Sequence, residues 1–215
     1  MSARFKPQVL GAGLLLVAAG ALALYGQPDL EQKWAFMAPE YASRLEYCEV
    51  YIDPAELLHL MNDDYIELLI YDVRDERDRN IFHLMDAERI DLADLPSQRK
   101  RLRNLSELAV VVVSNDEILA TRAWEQITAL AKPNVYILEG GINHWLNVYG
   151  VMDDEHENHG AASLVRPDGT LRHPFKLALG ARHAAARPDE HRVPQRGYTA
   201  KVKLLKKVVK AGGCD

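Results

Sequence analysis

Ala109-Val110-Val111-Val112-Val113-Ser114-Asn115-Asp116-Glu117-Ile118-Leu119-Ala120-Thr121-Arg122-Ala123-Trp124 reads as a buried strand, a six-residue loop and a helix. Pro133-Asn134 breaks that helix after Leu130, and Val135-Tyr136-Ile137-Leu138 returns as another apolar strand. It runs directly into Glu139-Gly140-Gly141-Ile142-Asn143-His144-Trp145, where the paired glycines allow a tight turn that a side chain would block.

Working back toward the N-terminus, Leu68–Val73 is a third continuous apolar run, as expected for a strand covered on both faces. Val50-Tyr51-Ile52 is a short strand, followed by Asp53 as N-cap, Pro54 at the first helical position and Glu56 three residues after the cap. The helix Pro54–Met61 places Leu57, Leu58 and Met61 on one side. Arg74 through Arg79 is highly charged and opens a further helical turn. Strands alternating with helices, with continuous apolar strands, predict an α/β fold with a mostly parallel sheet flanked by helices. Right-handed crossovers then bring the loops that follow the strands to one edge.

The chain of 215 residues is 48% apolar and 27% charged, ordinary globular composition with material for one good core. Its net charge of −5 gives no footprint for nucleic acid, and the basic cluster is confined to the C-terminal tail. Arg4 and Lys6 precede Val9–Tyr25, an apolar run without charge. A positive flank before such a run is an export signal that leaves the remainder on the extracytoplasmic (periplasmic) side of the cell membrane. Seventeen residues at about 1.5 Å each reach roughly 26 Å, slightly short of a 30 Å hydrocarbon core. Ala21-Leu22-Ala23 fits a small-x-small cleavage site, so an uncleaved anchor and a cleaved signal both stand.

Four regions follow: 1–26 as membrane anchor or signal, 27–47 as connector with a short helix around Tyr41–Glu46, 48–150 as the domain, and 151–215 as an extended basic tail with little core of its own. In the tail, the Ala178–His183 segment is expected to dock on the domain, with Leu177 and Leu179 supplying apolar contacts. Five lysines in Lys201–Lys210 alternate with paired apolar residues, which fits an amphipathic basic helix as well as a strand or solvated segment. His156 and His159, with His173, His183 and His191, do not close a tetrahedral set, so no metal and no cofactor is expected.

Cys48 and Cys214 are the two cysteines. In an exported chain they would form one disulfide tying the tail to the domain; the alternative is one buried thiol and one loose terminal thiol. Gly212-Gly213 before Cys214 gives that thiol freedom to reach the domain.

Roughly residues 48–148 resemble the rhodanese domain, a sulfurtransferase fold. Asp72-Val73-Arg74 matches, as do His83 and Ala87 within Phe82-His83-Leu84-Met85-Asp86-Ala87, and Leu138-Glu139-Gly140-Gly141-Ile142-Asn143-His144-Trp145 matches throughout. Where the family carries two glycines and a proline around His83, this chain has Phe82, Met85 and Asp86. The resemblance implies structural roles for Asp72, Arg74, His83, Glu139, Gly140, Gly141 and Trp145: an ion pair at a strand end, a packed turn histidine, a tight turn and a core anchor. It also implies a persulfide-forming cysteine in the loop after the fourth strand, and Ser114 stands there.

The chemistry needs sulfur. A thiol at a helix N-terminus drops several units below pKa 8.5, whereas a serine hydroxyl forms no persulfide and needs a strong base beside it. No Gly-x-Ser-x-Gly elbow surrounds Ser114, and Asp116 and Glu117 would fill the anion site with charge of the wrong sign. The loop Ser114, Asn115, Asp116, Glu117, Ile118 and Leu119 therefore reads as a degenerate active site. The expectation is a non-catalytic module tethered at the cell envelope, with the membrane and an unidentified protein as partners. The alternative is a sulfurtransferase or thiol-redox protein that uses Cys214 or Cys48.

Overall fold

Val110 and Val112 face one side of a sheet and Val111 and Val113 the other, and all four are wholly buried, so both faces of this strand are covered. The computed structural model describes residues 28–103, 108–131, 134–150, 169–172, 180–193 and 196–203, together with the isolated positions 17, 19 and 20.

The five strands are β1 (Tyr51–Ile52), β2 (Glu67–Asp72), β3 (Glu88–Arg89), β4 (Leu108–Val113) and β5 (Asn134–Leu138). They form one sheet in the order β1-β5-β4-β2-β3, and every pairing is parallel. In register, Val111 stands opposite Ile70 on one side and Tyr136 on the other. The helices are α1 (Leu30–Glu46), α2 (Pro54–Asn62), α3 (Glu76–Ile81), α4 (Arg99–Arg103), α5 (Ile118–Ala131) and α6 (Gly141–Tyr149), with a 3₁₀ segment at Leu92–Gln98.

One face carries Ile70, Val111, Val113, Tyr136 and Leu138 against Leu57 and Leu58 of α2 and Ile142, Trp145 and Leu146 of α6. The other carries Leu69, Tyr71, Val110, Val112 and Ile137 against Leu102 of α4 and Ala123, Trp124 and Ile127 of α5. At roughly 25 cal/mol per Å² of apolar surface, these two layers supply the main stabilisation.

Asp53 caps α2 as its sequence predicts, its carboxylate accepting the Ala55 N–H at 2.7 Å. Glu56 does not close a capping box. Its Oε1 instead accepts the Lys201 and Val202 N–H groups, each at 2.7 Å.

The connector differs from its expectation. In place of a short helix around Tyr41–Glu46, α1 runs for 17 residues, capped by Asp29, whose carboxylate accepts the Gln32 N–H at 2.8 Å. Leu30, Trp34, Tyr41 and Leu45 share one side of it and pack on the layer containing α5. There the Trp34 and Trp124 rings meet edge to face with centroids 5.5 Å apart. The helix ends in a Schellman turn: Glu49 N–H donates to Arg44 O at 2.9 Å and Cys48 N–H to Leu45 O at 3.1 Å, with Cys48 at φ 54.

The tail is also more than an appendage. Ala185 and Ala186 are buried in the α2/α6 layer. Trp145 Nε1 donates to Ala185 O at 2.7 Å, and the Met85 N–H to Ala186 O at 2.9 Å. Leu177 and Leu179 lie outside the described residues, so the docking that is seen rests on the alanines. Lys201–Lys203 has no helical structure, and its Nζ at Lys201 donates to the Cys48 and Tyr51 carbonyls. Residues 204–215, with Cys214, lie outside the described residues. Among the described residues no helix is long and apolar enough to cross a membrane; nearly all of Val9–Tyr25 lies outside them.

Candidate functional site

Asp72 ends β2 fully buried, and Arg74 follows two residues on at 1% exposure. Arg74 Nε donates to Asp72 Oδ1 at 2.9 Å and Nη2 to Oδ2 at 2.6 Å, a fork that satisfies both carboxylate oxygens. The remaining guanidinium donors reach Phe82 O at 2.7 Å and Asn115 Oδ1 at 3.1 Å. The pair thereby joins β2, the turn at Phe82 and the loop after β4.

The loop Ser114–Glu117 leaves β4 at the C-terminal edge of the sheet. Ser114 is 1% exposed, donates its hydroxyl to Asp116 O and accepts the Ala120 N–H at 3.1 Å. The hydroxyl thus caps the first turn of α5 and is bonded to main chain alone. Among the described residues no histidine bonds it.

The carboxylates fill the space around it. Asp116 Oδ1 accepts the Ile118 N–H at 2.9 Å and Oδ2 the Gly169 N–H at 2.7 Å. Glu117 Oε1 accepts the Gly140 N–H at 2.7 Å. Negative charge at the start of α5 is favoured by the helix dipole, and here the protein's own side chains supply it. Ile118 stands 41% exposed at the rim.

The turn after β5 closes against this loop. Gly140 and Gly141 have φ of 67° and 63°. A Cβ on Gly141 would fall 2.5 Å from Asp116 O and 2.6 Å from Ser114 O, which fixes glycine there by close approach as well as by conformation. The Ile142 and Asn143 N–H groups donate to Ser114 O at 2.8 Å and Asn115 O at 3.0 Å. Trp145 is fully buried as the core anchor.

His83 sits apart from the loop, its Nδ1 2.9 Å from Arg79 O in the turn after α3. Asp86, where the family carries glycine, has φ 63°, so the left-handed turn is kept without the glycine. The Glu139 side chain is exposed at a cleft with Asp53, Tyr198, Thr199 and Lys201, at the edge where β1 meets β5.

Cys48 is exposed, which removes the reading of it as a buried thiol, and Cys214, with which the sequence would pair it, lies outside the described residues. His183 caps a 3₁₀ turn by accepting the Ala185 N–H at 3.1 Å, and among the described residues no group of side chains is arranged to hold a metal ion.

What the sequence did not announce is the part taken by residues 169–172, which lie across the loop. Asn115 Nδ2 donates to Gly169 O at 2.9 Å and to the Asp78 carboxylate, and Asn143 holds Thr170 and Arg172. The Pro167-Asp168-Gly169 run was the available signal in the sequence.

The parallel sheet whose β2 ends in a buried Asp-x-Arg pair, and whose β4 loop is closed by a double-glycine turn, is an α/β unit covered on both faces. Residues 53–148 match the family model of the rhodanese-like domain. Solved structures similar to the chain include a protein from Bacillus halodurans, 23% identical, with a TM-score of 0.42 over 51% of this chain and 80% of that one. A protein from Lactobacillus plantarum is 21% identical, with a TM-score of 0.41 over 52% of this chain and 94% of its own. A single-domain sulfurtransferase from Saccharomyces cerevisiae is 16% identical, with a TM-score of 0.38 over 45% of this chain and 88% of its own. No curated protein matches the chain.

Proposed function

We propose that this rhodanese-like domain is a non-catalytic binding module, exported and held at the cell envelope by Val9–Tyr25. The observation that carries the reading is the state of the loop after β4: the Ser114 hydroxyl is spent on Asp116 O and Ala120 N–H, and Asp116 and Glu117 occupy main-chain donors around it. Thiosulfate would meet two carboxylates where it needs donors. The charge-free run behind Arg4 and Lys6 supports export.

An exposed Cys48 favours comparison with the thiol-based alternative. Cys48 lies in the turn between α1 and β1, where the Tyr51 N–H donates to its carbonyl at 3.4 Å, and Cys48 and Cys214 are both thiols to test.

The experiment is a thiosulfate-to-cyanide sulfur-transfer assay on the natural chain beside Cys48→Ser and Cys214→Ser. The natural chain is expected to be silent. Turnover that disappears in Cys214→Ser would transfer the chemistry to the tail and overturn the reading.

A further inference from the structure

Residues 169–172 are held largely through their main chain. Asn143 Nδ2 donates to Thr170 O at 2.8 Å, and Asn143 Oδ1 accepts the Arg172 N–H at 2.8 Å. The carbonyl of one residue and the N–H two residues on lie along the same edge of an extended chain, so this single amide acts as a neighbouring strand does in a parallel ladder. At Gly169 the same treatment recurs: its N–H donates to Asp116 Oδ2 at 2.7 Å, and its carbonyl accepts from Asn115 Nδ2 at 2.9 Å. Leu171 packs, partly buried, against the α2/α6 core layer.

The receiving groups are set before the segment arrives. Asn115 and Asp116 are 4% and 7% exposed. Asn115 Oδ1 is fixed by Arg74 Nη1 at 3.1 Å, and Asp116 Oδ1 by the Ile118 N–H at 2.9 Å. The groups that remain, an amide, a carboxylate oxygen and the whole amide of Asn143, bond main-chain atoms of the segment. Two positions add selectivity. Gly169 has φ 77° with open space around it, so glycine is required by conformation alone, and the residue two further on must be apolar.

We propose that Asn115, Asp116 and Asn143 form a recognition site for an extended peptide of the type Gly-x-aliphatic. Gly169–Leu171 is its resident ligand, and a partner protein's segment of the same type takes its place. The inference rests on the binding-module reading and names the class of partner. The resident segment belongs to the same chain, anchored further on by the buried Ala185 and Ala186, so it competes at an effective concentration of about millimolar. A partner peptide therefore meets a guarded site, which opens when the resident segment is weakened.

The probe is a fluorescein-labelled peptide with the sequence of residues 166–173, followed by anisotropy against the full-length chain. In Gly169→Val, a β-branched residue at φ 77° disfavours the resident segment. This variant is expected to bind the labelled peptide at least about tenfold more tightly than the natural chain does, in line with the loss of intramolecular competition. Adding Asn143→Ala abolishes that binding, as does a peptide with valine in place of its glycine. Leu171→Asp gives a second way to expel the segment, should Gly169→Val fold poorly. Cooperatively folded Gly169→Val and Leu171→Asp chains that ignore the peptide would overturn the proposal, as would binding that survives Asn143→Ala. A chain silent in sulfur transfer that also fails to bind the peptide sinks this inference alone; turnover by the natural chain sinks the reading beneath it.

Discussion

Glu117 and Gly140 stand 23 residues apart, on the connections after β4 and β5, and are joined by a carboxylate that accepts a backbone N–H at 2.7 Å. The bond closes the loop with the chain's own anion. It stitches the loop after β4 to the double-glycine turn after β5. Gly140 and Gly141 leave β5 at the same edge where Ser114 leaves β4, and the two connections bury each other.

Close approach makes Gly141 intolerant. Gly141→Ala would place a Cβ within 2.7 Å of three backbone atoms of Ser114 and Asp116, at φ 63°. Destabilisation of about 2–5 kcal/mol is expected from the left-handed conformation and overpacking together. Gly169→Ala meets nothing within 4 Å and should cost only about 1–2 kcal/mol, the conformational part. Urea midpoints of the two variants give the comparison; equal losses would mean the contacts at Gly141 are relieved by movement.

Removing Arg74 strands a buried charge. Arg74→Met leaves Asp72, fully buried, without its fork and frees Asn115 Oδ1. A loss of about 3–5 kcal/mol is expected. Arg74→Lys should recover little, because one ammonium cannot span both oxygens while reaching Phe82 O. Thermal melts of the two variants decide this, and full stability in Arg74→Lys would contradict the fork argument.

Asp86 holds a left-handed turn at φ 63° that the family assigns to glycine. Asp86→Gly should stabilise the chain by about 0.5–1 kcal/mol, the relief of strain exceeding the added freedom of the unfolded chain. A fall in the denaturation midpoint would show that the Asp86 carboxylate contributes more than its backbone costs.

Burial, with Asp53 nearby, pushes the Tyr149 phenol up to about 12. The fold favours the neutral phenol, so its contribution is complete below the ordinary tyrosine value of about 10. That contribution is lost as pH rises through about 12. The difference in alkaline absorbance titration between the natural chain and Tyr149→Phe should have its midpoint near 12. A midpoint near 10 would place Tyr149 in solvent.

Exposed pairs behave differently. The Arg101 hydrogen bond to Glu88, 2.6 Å long, holds that carboxyl below its usual range, so the pair supports folding above the ordinary carboxylate pKa. That support fades as pH falls through the lowered value. Both partners are about half exposed, and Arg101→Ala should change stability at neutral pH by less than about 1 kcal/mol. Acid titration of the Glu88 resonance with and without Arg101 tests the direction.

Much of this molecule was legible in one dimension. Val110–Val113 and Val135–Leu138 gave parallel strands because a run apolar on every residue can be satisfied only by cover on both faces. Asp72-Val73-Arg74 and the Leu138–Trp145 run carried the family resemblance. All of these are local patterns, in which the residue's type or its immediate neighbours state the requirement.

Tertiary structure decided the rest, for want of any local periodicity. Leu30, Trp34, Tyr41 and Leu45 form the partly buried, core-facing side of α1 only once Trp124 is there to receive them, and the intervening charges and Pro39 hide the stripe. Glu56 looks like a capping residue until Lys201 and Val202 arrive 145 and 146 positions later. The seating of Gly169–Arg172 on Asn115, Asp116 and Asn143 is a set of bonds to main-chain atoms. Every residue presents those same atoms, so only the folded path of the chain could say which ones meet.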